Sequence, residues 1–278
     1  MRAFGGERRR ARRYAGRASV TEVSMTRRML LAALTAAFTG AGRATAQTPL
    51  PTLIDDLVVA NRILSNEGIV DGYGHVSARH PSNPNRFLLA RSIAPALVRA
   101  EDIFEYDLDS NPVSGAPASY LERFIHGEIY RARPDVRSVV HDHSPSVLPF
   151  GISSVPLRPV YHMAYFVGEG VPVFEIRTVA RESNMLINDA ERGKALAAKL
   201  GGKSAVLLRG HGAVTVGPSV LLAVARAVYL DLNAKLQQQA MALGGPLTYL
   251  SPEESKLGVQ DYERSWNLWK LKAATSGR

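Results

Sequence analysis

The sequence predicts an α/β fold, because helix-like and strand-like segments follow one another along most of the chain. The chain has 278 residues, which is enough for one sizeable domain and short of two. After residue 46 the sequence shows no internal repeat and no low-complexity segment. The part of the chain after residue 46 is therefore predicted to be one folded domain, residues 47–278.

The net charge of +9 lies almost entirely in the first 46 residues. They contain ten arginines, no lysine and two acidic residues, a net charge of +8. The rest of the chain has a net charge of +1. It shows no basic stripe that would hold phosphates, so nucleic acid is not an expected partner.

Residues 1–46 are predicted to be an N-terminal extension with a twin-arginine signal peptide. Arg27 and Arg28 precede an apolar run that is too short to span a bilayer, and Ala44-Thr45-Ala46 fits a cleavage site. We expect export to the periplasm, and no membrane contact after processing. The alternative is a basic tail on a cytoplasmic enzyme. Met25 is an alternative start, and the absence of cysteine fits either compartment.

The body of the chain opens with a helix and then turns to strands. Leu53, Leu57 and Leu64 recur at helical spacing, and Gly68 ends the helix. The next segment contains Gly72 and Gly74, which predict the start of a β-hairpin. The predicted elements that follow are the hairpin entry at 72–80 and strands at 86–91, 103–108 and 136–140.

The second half of the body is richer in helices. A helix at 119–131 would begin with Ser119 and Glu122 as a capping box. Trp266 and Trp269 in the polar tail are candidates for packing on a neighbouring subunit. The other predicted elements are short strands around Val155, Val160 and 173–176, a helix at 189–200 and a long helix from Pro218 to about Leu243.

Three histidines are the residues most informative about function. His141 and His143 follow the strand at 136–140, and residues two apart on a strand point to the same side. His211 lies between glycines after another apolar segment. Three protein ligands and an open position are how a catalytic divalent metal is held. The alternative is that the histidines are scattered over the surface.

The segment from Glu122 to Asp135, the following His141-x-His143 pair and the His211-Gly212 turn resemble the class II aldolase/adducin family. The resemblance covers roughly residues 52–245. It implies a single three-layer α/β/α domain around a mainly antiparallel sheet, and a homotetramer with the metal site near a subunit interface. Zn²⁺ and Mn²⁺ are the candidate ions, since imidazole accepts both.

The resemblance also assigns roles to acid–base residues. Glu122 would lie beside the metal, as a general base or as a ligand displaced by substrate, whereas a capping glutamate would only satisfy a backbone N–H. Tyr161 and His162 occupy the position of a proton-donating tyrosine that reaches across the subunit interface, with simple packing as the alternative. His126 is predicted to be structural.

The candidate substrate pocket departs from the sugar-phosphate aldolases of the family. His75 stands where they have asparagine, Arg91 and Ser92 replace a Thr-Gly pair, and Tyr120 replaces one of two serines. A cradle of small residues for phosphate is lost, and a planar arginine suits a carboxylate. We therefore expect an unphosphorylated, carboxylate-bearing substrate. The alternative for Arg91 is an internal ion pair.

The resemblance and the pocket together predict a metal-dependent carbon–carbon lyase. Decarboxylation of a hydroxylated aromatic or keto acid is favoured over aldol cleavage, and epimerisation is a third possibility. A non-catalytic adducin-like interaction module is the alternative outside enzymes. It predicts loss of the metal ligands, and all three histidines are present.

Overall fold

The computed structural model describes residues 48–115, 118–258 and 261–275. Residues 1–46, the predicted leader, lie outside the described part. The seven helices of the described part are α1 (Leu50–Asn66), α2 (Phe124–Ala132), α3 (Leu148–Ile152), α4 (Ala190–Leu200), α5 (Val220–Ala242), α6 (Pro252–Leu257) and α7 (Glu263–Thr275). Within the described residues, no helix is both long and apolar enough to cross a membrane.

Seven strands form one sheet in the order β3-β2-β1-β4-β7-β6-β5. Every neighbouring pair is antiparallel except β5 and β6, which are parallel. The strands are β1 (His75–Arg79), β2 (Arg86–Ala90), β3 (Ile103–Asp107), β4 (Ser138–Asp142), β5 (Val173–Phe174), β6 (Ala205–Leu208) and β7 (Gly212–Gly217).

Helices cover both faces of the sheet. On one face α1, α5 and α7 pack against residues such as Val76 and Val140. On the other face α2 and α4 pack against residues such as Val139 and Val214. Neighbouring strand residues point to opposite faces, so Val139 and Val140 enter different cores. The predicted three-layer α/β/α domain around a mainly antiparallel sheet is confirmed.

The start of α2 differs from the predicted capping box. A 3-10 turn, Leu121–Arg123, precedes the helix, and no side chain caps the helix N-terminus. The Ser119 hydroxyl instead bonds the Tyr106 hydroxyl, and Glu122 accepts a hydrogen bond from the Ile187 backbone N–H. The capping prediction is wrong because both side chains have tertiary partners.

The predicted short strands around Val155 and Val160 are also wrong. Side-chain amides of α5 bind the backbone there in place of a neighbouring strand. The Asn233 side chain accepts from the Val160 N–H at 2.9 Å, and that of Gln237 accepts from the Arg158 N–H at 2.9 Å. The polar groups of this segment are therefore satisfied without sheet pairing.

The two tryptophans of the tail pack within their own chain. Trp266 and Trp269 lie on α7 and are 6% and 5% exposed, in the same core as Leu57 and Val224. The suggestion that they pack on a neighbouring subunit is therefore wrong. Their large apolar rings instead fix α7 over α1 and α5.

Candidate metal centre and active site

Four side chains with metal-binding atoms converge at the end of the central strand β4. One ligand atom from each of Glu122, His141, His143 and His211 lies within 4.8 Å of all the others. His141 is in β4, His143 follows that strand, His211 is in the turn between β6 and β7, and Glu122 lies just before α2. Three distant segments of the sequence thus bring together the residues that were predicted to form a metal site.

Glycines allow the β6–β7 turn to approach β4. Gly210 has a φ of +64°, which is a left-handed conformation that favours glycine. A Cβ at Gly212 would lie 1.9 Å from the backbone oxygen of Asp142. Any side chain at residue 212 would therefore push His211 away from His141 and His143.

Backbone carbonyls fix the orientation of two histidine rings. His141 Nδ1 lies 3.0 Å from the Ala213 oxygen, and His211 Nδ1 lies 3.0 Å from the Met185 oxygen. A carbonyl can only accept, so both Nδ1 atoms carry hydrogen. In the neutral rings, the lone pairs of both Nε2 atoms then point to the centre, as in metal-binding histidines.

The centre brings imidazole nitrogens and a carboxylate oxygen close together. His143 Nε2 and His211 Nε2 are 3.0 Å apart. Glu122 Oε2 lies 3.3 Å from His141 Nε2 and 3.4 Å from His211 Nε2. Within the described part of the chain, His141 Nε2 is buried and has no hydrogen-bond partner. These residues fit a divalent metal ion, for which three imidazoles and a carboxylate are a suitable ligand set.

Burial and neighbouring charges set the protonation states at the centre. Burial opposes ionisation of Glu122, but His141 and His211 outweigh it and hold the pKa of the carboxyl well below its usual range. Burial, together with His141 and His211, lowers the pKa of His143 to about 4. Burial opposes protonation of His211, but Glu122 and the Met185 carbonyl outweigh it and raise the pKa of His211. At neutral pH the site therefore offers a carboxylate and an unprotonated His143, and a metal ion would replace the proton that Glu122 favours on His211.

A cavity of about 490 Å³ opens beside the candidate metal centre. This volume suits a small molecule. The predicted site residues that line it are His75, Ser92, Tyr120, Glu122 and His143.

His75 and Tyr120 form one wall of this cavity. His75 lies opposite His141 in the β1–β4 pairing, and their ring centroids are 5.2 Å apart. The Tyr120 ring lies 4.5 Å from the His75 ring, and its hydroxyl donates to the Ile93 carbonyl oxygen. Burial raises the pKa of Tyr120 to about 12. Tyr120 therefore contributes an aromatic ring to the cavity, and its protonated hydroxyl is already engaged.

Arg91 forms an internal ion pair, which was the alternative to substrate binding in the sequence analysis. Its Nε lies 2.6 Å from Asp102 Oδ1, and the Asp102 side chain is 8% exposed. Within the described part of the chain, Arg91 is not among the residues that line the cavity. A role for Arg91 in holding the substrate carboxylate stays a prediction.

Tyr161 and His162 lie apart from the cavity of their own chain. Tyr161 is half-buried and His162 is exposed, and the Tyr161 ring centroid lies 6.2 Å from that of Tyr229 on α5. Neither residue lines the described cavity. Their predicted role therefore depends on a neighbouring subunit.

Several residues of the site carry no signal that sequence reasoning could have used. Ile93 and Leu186 line the cavity, and the Ile187 N–H donates to Glu122 at 2.9 Å. The Met185 carbonyl orients His211. These residues contribute backbone groups or apolar surface, and no sequence motif identifies such contributions.

The comparisons with known proteins agree with this geometry. Residues 55–238 match the model of the family "Class II Aldolase and Adducin N-terminal domain". The chain is 38% identical over 243 residues to decarboxylase tropJ of Talaromyces stipitatus, covering 77% of this chain and 91% of that protein. It is 31% identical over 227 residues to 3,4-dihydroxyphthalate decarboxylase of Arthrobacter keyseri, covering 76% and 87%.

Solved structures show the same fold. An aldolase II superfamily protein from Pseudomonas syringae has a TM-score of 0.69 at 25% identity and covers 84% of this chain and 96% of its own. The named relatives are decarboxylases and aldolases, which confirms the predicted carbon–carbon lyase class at the level of the family. The chain belongs to the class II aldolase and adducin family.

Proposed function

We propose that this protein is a divalent-metal-dependent decarboxylase of a hydroxylated aromatic acid. The observation that carries the proposal is the cavity bounded by Glu122, His143, His75 and the Tyr120 ring, at the candidate metal centre. Aromatic surface and imidazole nitrogen suit a planar acid better than a sugar phosphate. Two relatives with 3,4-dihydroxyphthalate decarboxylase activity in their names support the substrate class.

The reaction breaks the bond between the ring carbon and the carboxylate carbon. The electron pair stays on the ring, CO₂ leaves, and the same ring carbon takes up one proton. A divalent metal bound by the three histidines would supply positive charge that stabilises the electron-rich ring and its oxygens. Zn²⁺ and Mn²⁺ both suit these ligands.

Glu122 is the proposed proton carrier within the chain. Its Oε1 accepts a hydrogen bond from the Ile187 N–H, and its Oε2 lies 3.3 Å from His141 Nε2 and 3.4 Å from His211 Nε2. As a carboxylate at neutral pH, it takes a proton from a substrate hydroxyl that displaces it from the centre. Glu122 also lines the cavity, so it can return this proton to the same hydroxyl oxygen when the product forms, while the ring carbon takes its proton from another group.

The test is to purify the protein, measure its metal content and incubate it with hydroxylated aromatic diacids. We expect CO₂ release and the matching phenol, and no turnover of a phosphorylated ketose. Glu122→Gln should lower kcat more than it raises KM, because an amide cannot carry the proton. Aldehyde release from aldol substrates without CO₂ release from the diacids would contradict the proposal and favour an aldolase.

We further propose a homotetramer in which Tyr161 or His162 of a neighbouring subunit delivers the proton to the ring carbon. Support comes from the resemblance and from the position of both residues outside their own cavity. Light scattering should give the mass of four subunits. His162→Ala and Tyr161→Phe should then lower kcat without changing metal content, and a fully active monomer would contradict this proposal.

The predicted export remains a proposal as well. It is supported by the twin arginines and by Ala44-Thr45-Ala46. Mass spectrometry of protein from the native host should find a mature N-terminus near Gln47 in the periplasmic fraction. An intact chain found only in the cytoplasm would reject export.

A further inference from the structure

A chain of four hydrogen-bonded side chains runs from the cavity into the core between the sheet and α2. His75 Nδ1 lies 2.7 Å from His126 Nε2, and His126 Nδ1 lies 2.6 Å from Ser77 Oγ. Ser77 Oγ in turn lies 2.7 Å from the Tyr130 hydroxyl. We call these four residues the buried chain. His126, predicted to be structural, is its second member.

All four members of the buried chain are shielded from solvent. His75 is 3% exposed and Tyr130 is 1% exposed, while Ser77 and His126 are fully buried. His75 Nδ1 and His126 Nε2 share one hydrogen bond, so one of these two nitrogens must carry hydrogen and the other must not.

The far end of the buried chain sets the direction of its hydrogen bonds. The Tyr130 hydroxyl is buried, and its hydrogen needs an acceptor within hydrogen-bond distance. Within the described residues, Ser77 Oγ is then the acceptor open to the Tyr130 hydroxyl hydrogen. The opposite direction would leave that hydrogen buried without an acceptor, which carries a large desolvation cost.

Each later step follows from this first one. Ser77 accepts from Tyr130, so its own hydrogen goes to His126 Nδ1. His126 must then carry its hydrogen on Nε2 and donate it to His75 Nδ1. His75 Nδ1 is an acceptor, so the His75 hydrogen is on Nε2. Since Nδ1 is occupied by His126, Nε2 is the nitrogen that His75 presents to the cavity.

We propose that His75 is a specificity-determining residue whose Nε2–H donates a hydrogen bond to an anionic oxygen of the substrate, with His126, Ser77 and Tyr130 as positioning residues. The Nε2–H tautomer has no lone pair to offer the metal, so His75 is not a fourth imidazole ligand although it faces His141. A neutral donor binds a carboxylate or phenolate oxygen without adding positive charge beside the metal. The choice of ligand rests on the proposed function, whereas the tautomer does not.

Nitrogen NMR of the metal-loaded protein with ¹⁵N-labelled histidine tests the tautomer directly. We expect His75 and His126 to carry hydrogen on Nε2 and none on Nδ1 at pH 7.5, with His75→Gln and His126→Gln assigning the signals. Hydrogen on His75 Nδ1 would overturn the proposal. This measurement needs no substrate, so it decides the tautomer even if no decarboxylase activity is found.

Two simple ligands identify the oxygen that His75 binds. Phthalate offers carboxylates without a hydroxyl, and catechol offers hydroxyls without a carboxylate. A shift of the His75 Nε2–H signal with phthalate assigns the bond to a carboxylate, and a shift with catechol alone assigns it to a phenolic oxygen. No shift with either ligand, at concentrations that saturate the site, would overturn the substrate contact.

A matched pair of variants tests the positioning residues. Tyr130 and Tyr106 are both buried, both have a hydroxyl bonded to a serine, and both have ring centroids 5.4 Å from Phe87. Tyr130→Phe removes the donor that orders the buried chain, so we expect a second His75 tautomer to appear. Tyr106→Phe removes a similar bond outside the buried chain and should leave the tautomer unchanged.

Kinetics provide a second readout for the same variants. His75→Leu should raise KM for the best substrate by roughly 10-fold or more, as expected for a lost hydrogen bond to a charged group. Tyr130→Phe should raise KM by less, and Tyr106→Phe should not raise it. Equal tautomer populations and equal KM values in the two tyrosine variants would overturn the positioning role.

Discussion

At the scale of single residues, the buried Nε2 atom of His141 is the clearest sign of a missing partner in the described chain. We expect His141→Ala to lose most of its divalent metal, because two remaining imidazoles bind a dication less tightly than three. Elemental analysis after dialysis measures the occupancy. His80→Ala is the control, since His80 lies outside the ligand group. Equal metal content in the two variants would contradict the assignment.

Arg91 and Asp102 offer a second test at this scale. Arg91→Ala removes the guanidinium that lies 2.6 Å from a carboxylate with 8% side-chain exposure. Without its ion pair this carboxylate keeps only the hydrogen bond from the Arg99 N–H, so the free energy of unfolding should fall by about 1–3 kcal/mol. In the double variant Arg91→Ala/Asp102→Asn, part of that loss should be recovered, as measured by urea unfolding.

The same proteins decide whether Arg91 also serves the substrate. A rise in KM that persists in the double variant would give Arg91 a binding role beyond its ion pair. A KM that returns to the wild-type value would limit Arg91 to positioning the segment beside Ser92.

At the scale of elements, α5 holds the irregular segment 156–161 through its side chains. The Gln237 side chain accepts from the Arg158 N–H and donates to the Pro156 carbonyl, and Gln237 is fully buried. Gln237→Ala should therefore speed hydrogen exchange of the Arg158 amide and loosen the segment that leads to Tyr161. Gln239→Ala, an exposed position on the same helix, is the control. Unchanged exchange at Arg158 would contradict this role of α5.

Elements with strong periodic or capping patterns could be predicted from the sequence, and elements defined by tertiary contacts could not. The helix α4 begins after Asp189, whose side chain accepts from the Arg192 N–H, as its sequence pattern suggests. The segment around Val160 is rich in strand-forming residues, yet its backbone partners are the amides of α5. No local pattern encodes a partner more than seventy residues away.

The same distinction holds for the site. The convergence of His141, His143 and His211 could be predicted because residues two apart on a strand point to the same side and glycines flank His211. The buried chain was not predictable, because His126, Ser77 and Tyr130 meet only when α2 packs on β1. The group that orients His211 is the backbone carbonyl of Met185, and the residue type at a position does not reveal the role of its backbone carbonyl.

At the scale of the whole molecule, the neutral state of His126 links stability to pH. Burial lowers its folded-state pKa to about 3, below the usual 6.5. As pH falls below about 6.5, the unfolded chain takes up a proton that the folded protein excludes, so stability is lost down to about pH 3. This residue alone should contribute a loss of up to about 1.4 kcal/mol per pH unit in that window.

Urea unfolding of the metal-free protein at pH 7.5 and pH 5.5 measures this dependence. His126→Gln cannot titrate, so its free energy of unfolding should fall less over the same interval. Histidines that do not contact His126 contribute equally in both proteins and cancel in the comparison, and His75→Gln in both backgrounds removes the contribution of the one that bonds to it. Parallel losses of stability in the two proteins would contradict a neutral, buried His126.

The candidate ligands come from three segments of the chain, before α2, at the end of β4 and between β6 and β7. Because of this separation, folding of the sheet must precede metal binding by the full ligand set. The His141-x-His143 pair alone offers a metal only two imidazoles, so the complete site exists only after the central sheet has assembled. Metal should then arrive late, slowing the unfolding rate while leaving the folding rate nearly unchanged. Stopped-flow experiments with Zn²⁺ and with a chelator can measure both rates, and faster folding with Zn²⁺ would show that the three segments meet before the transition state.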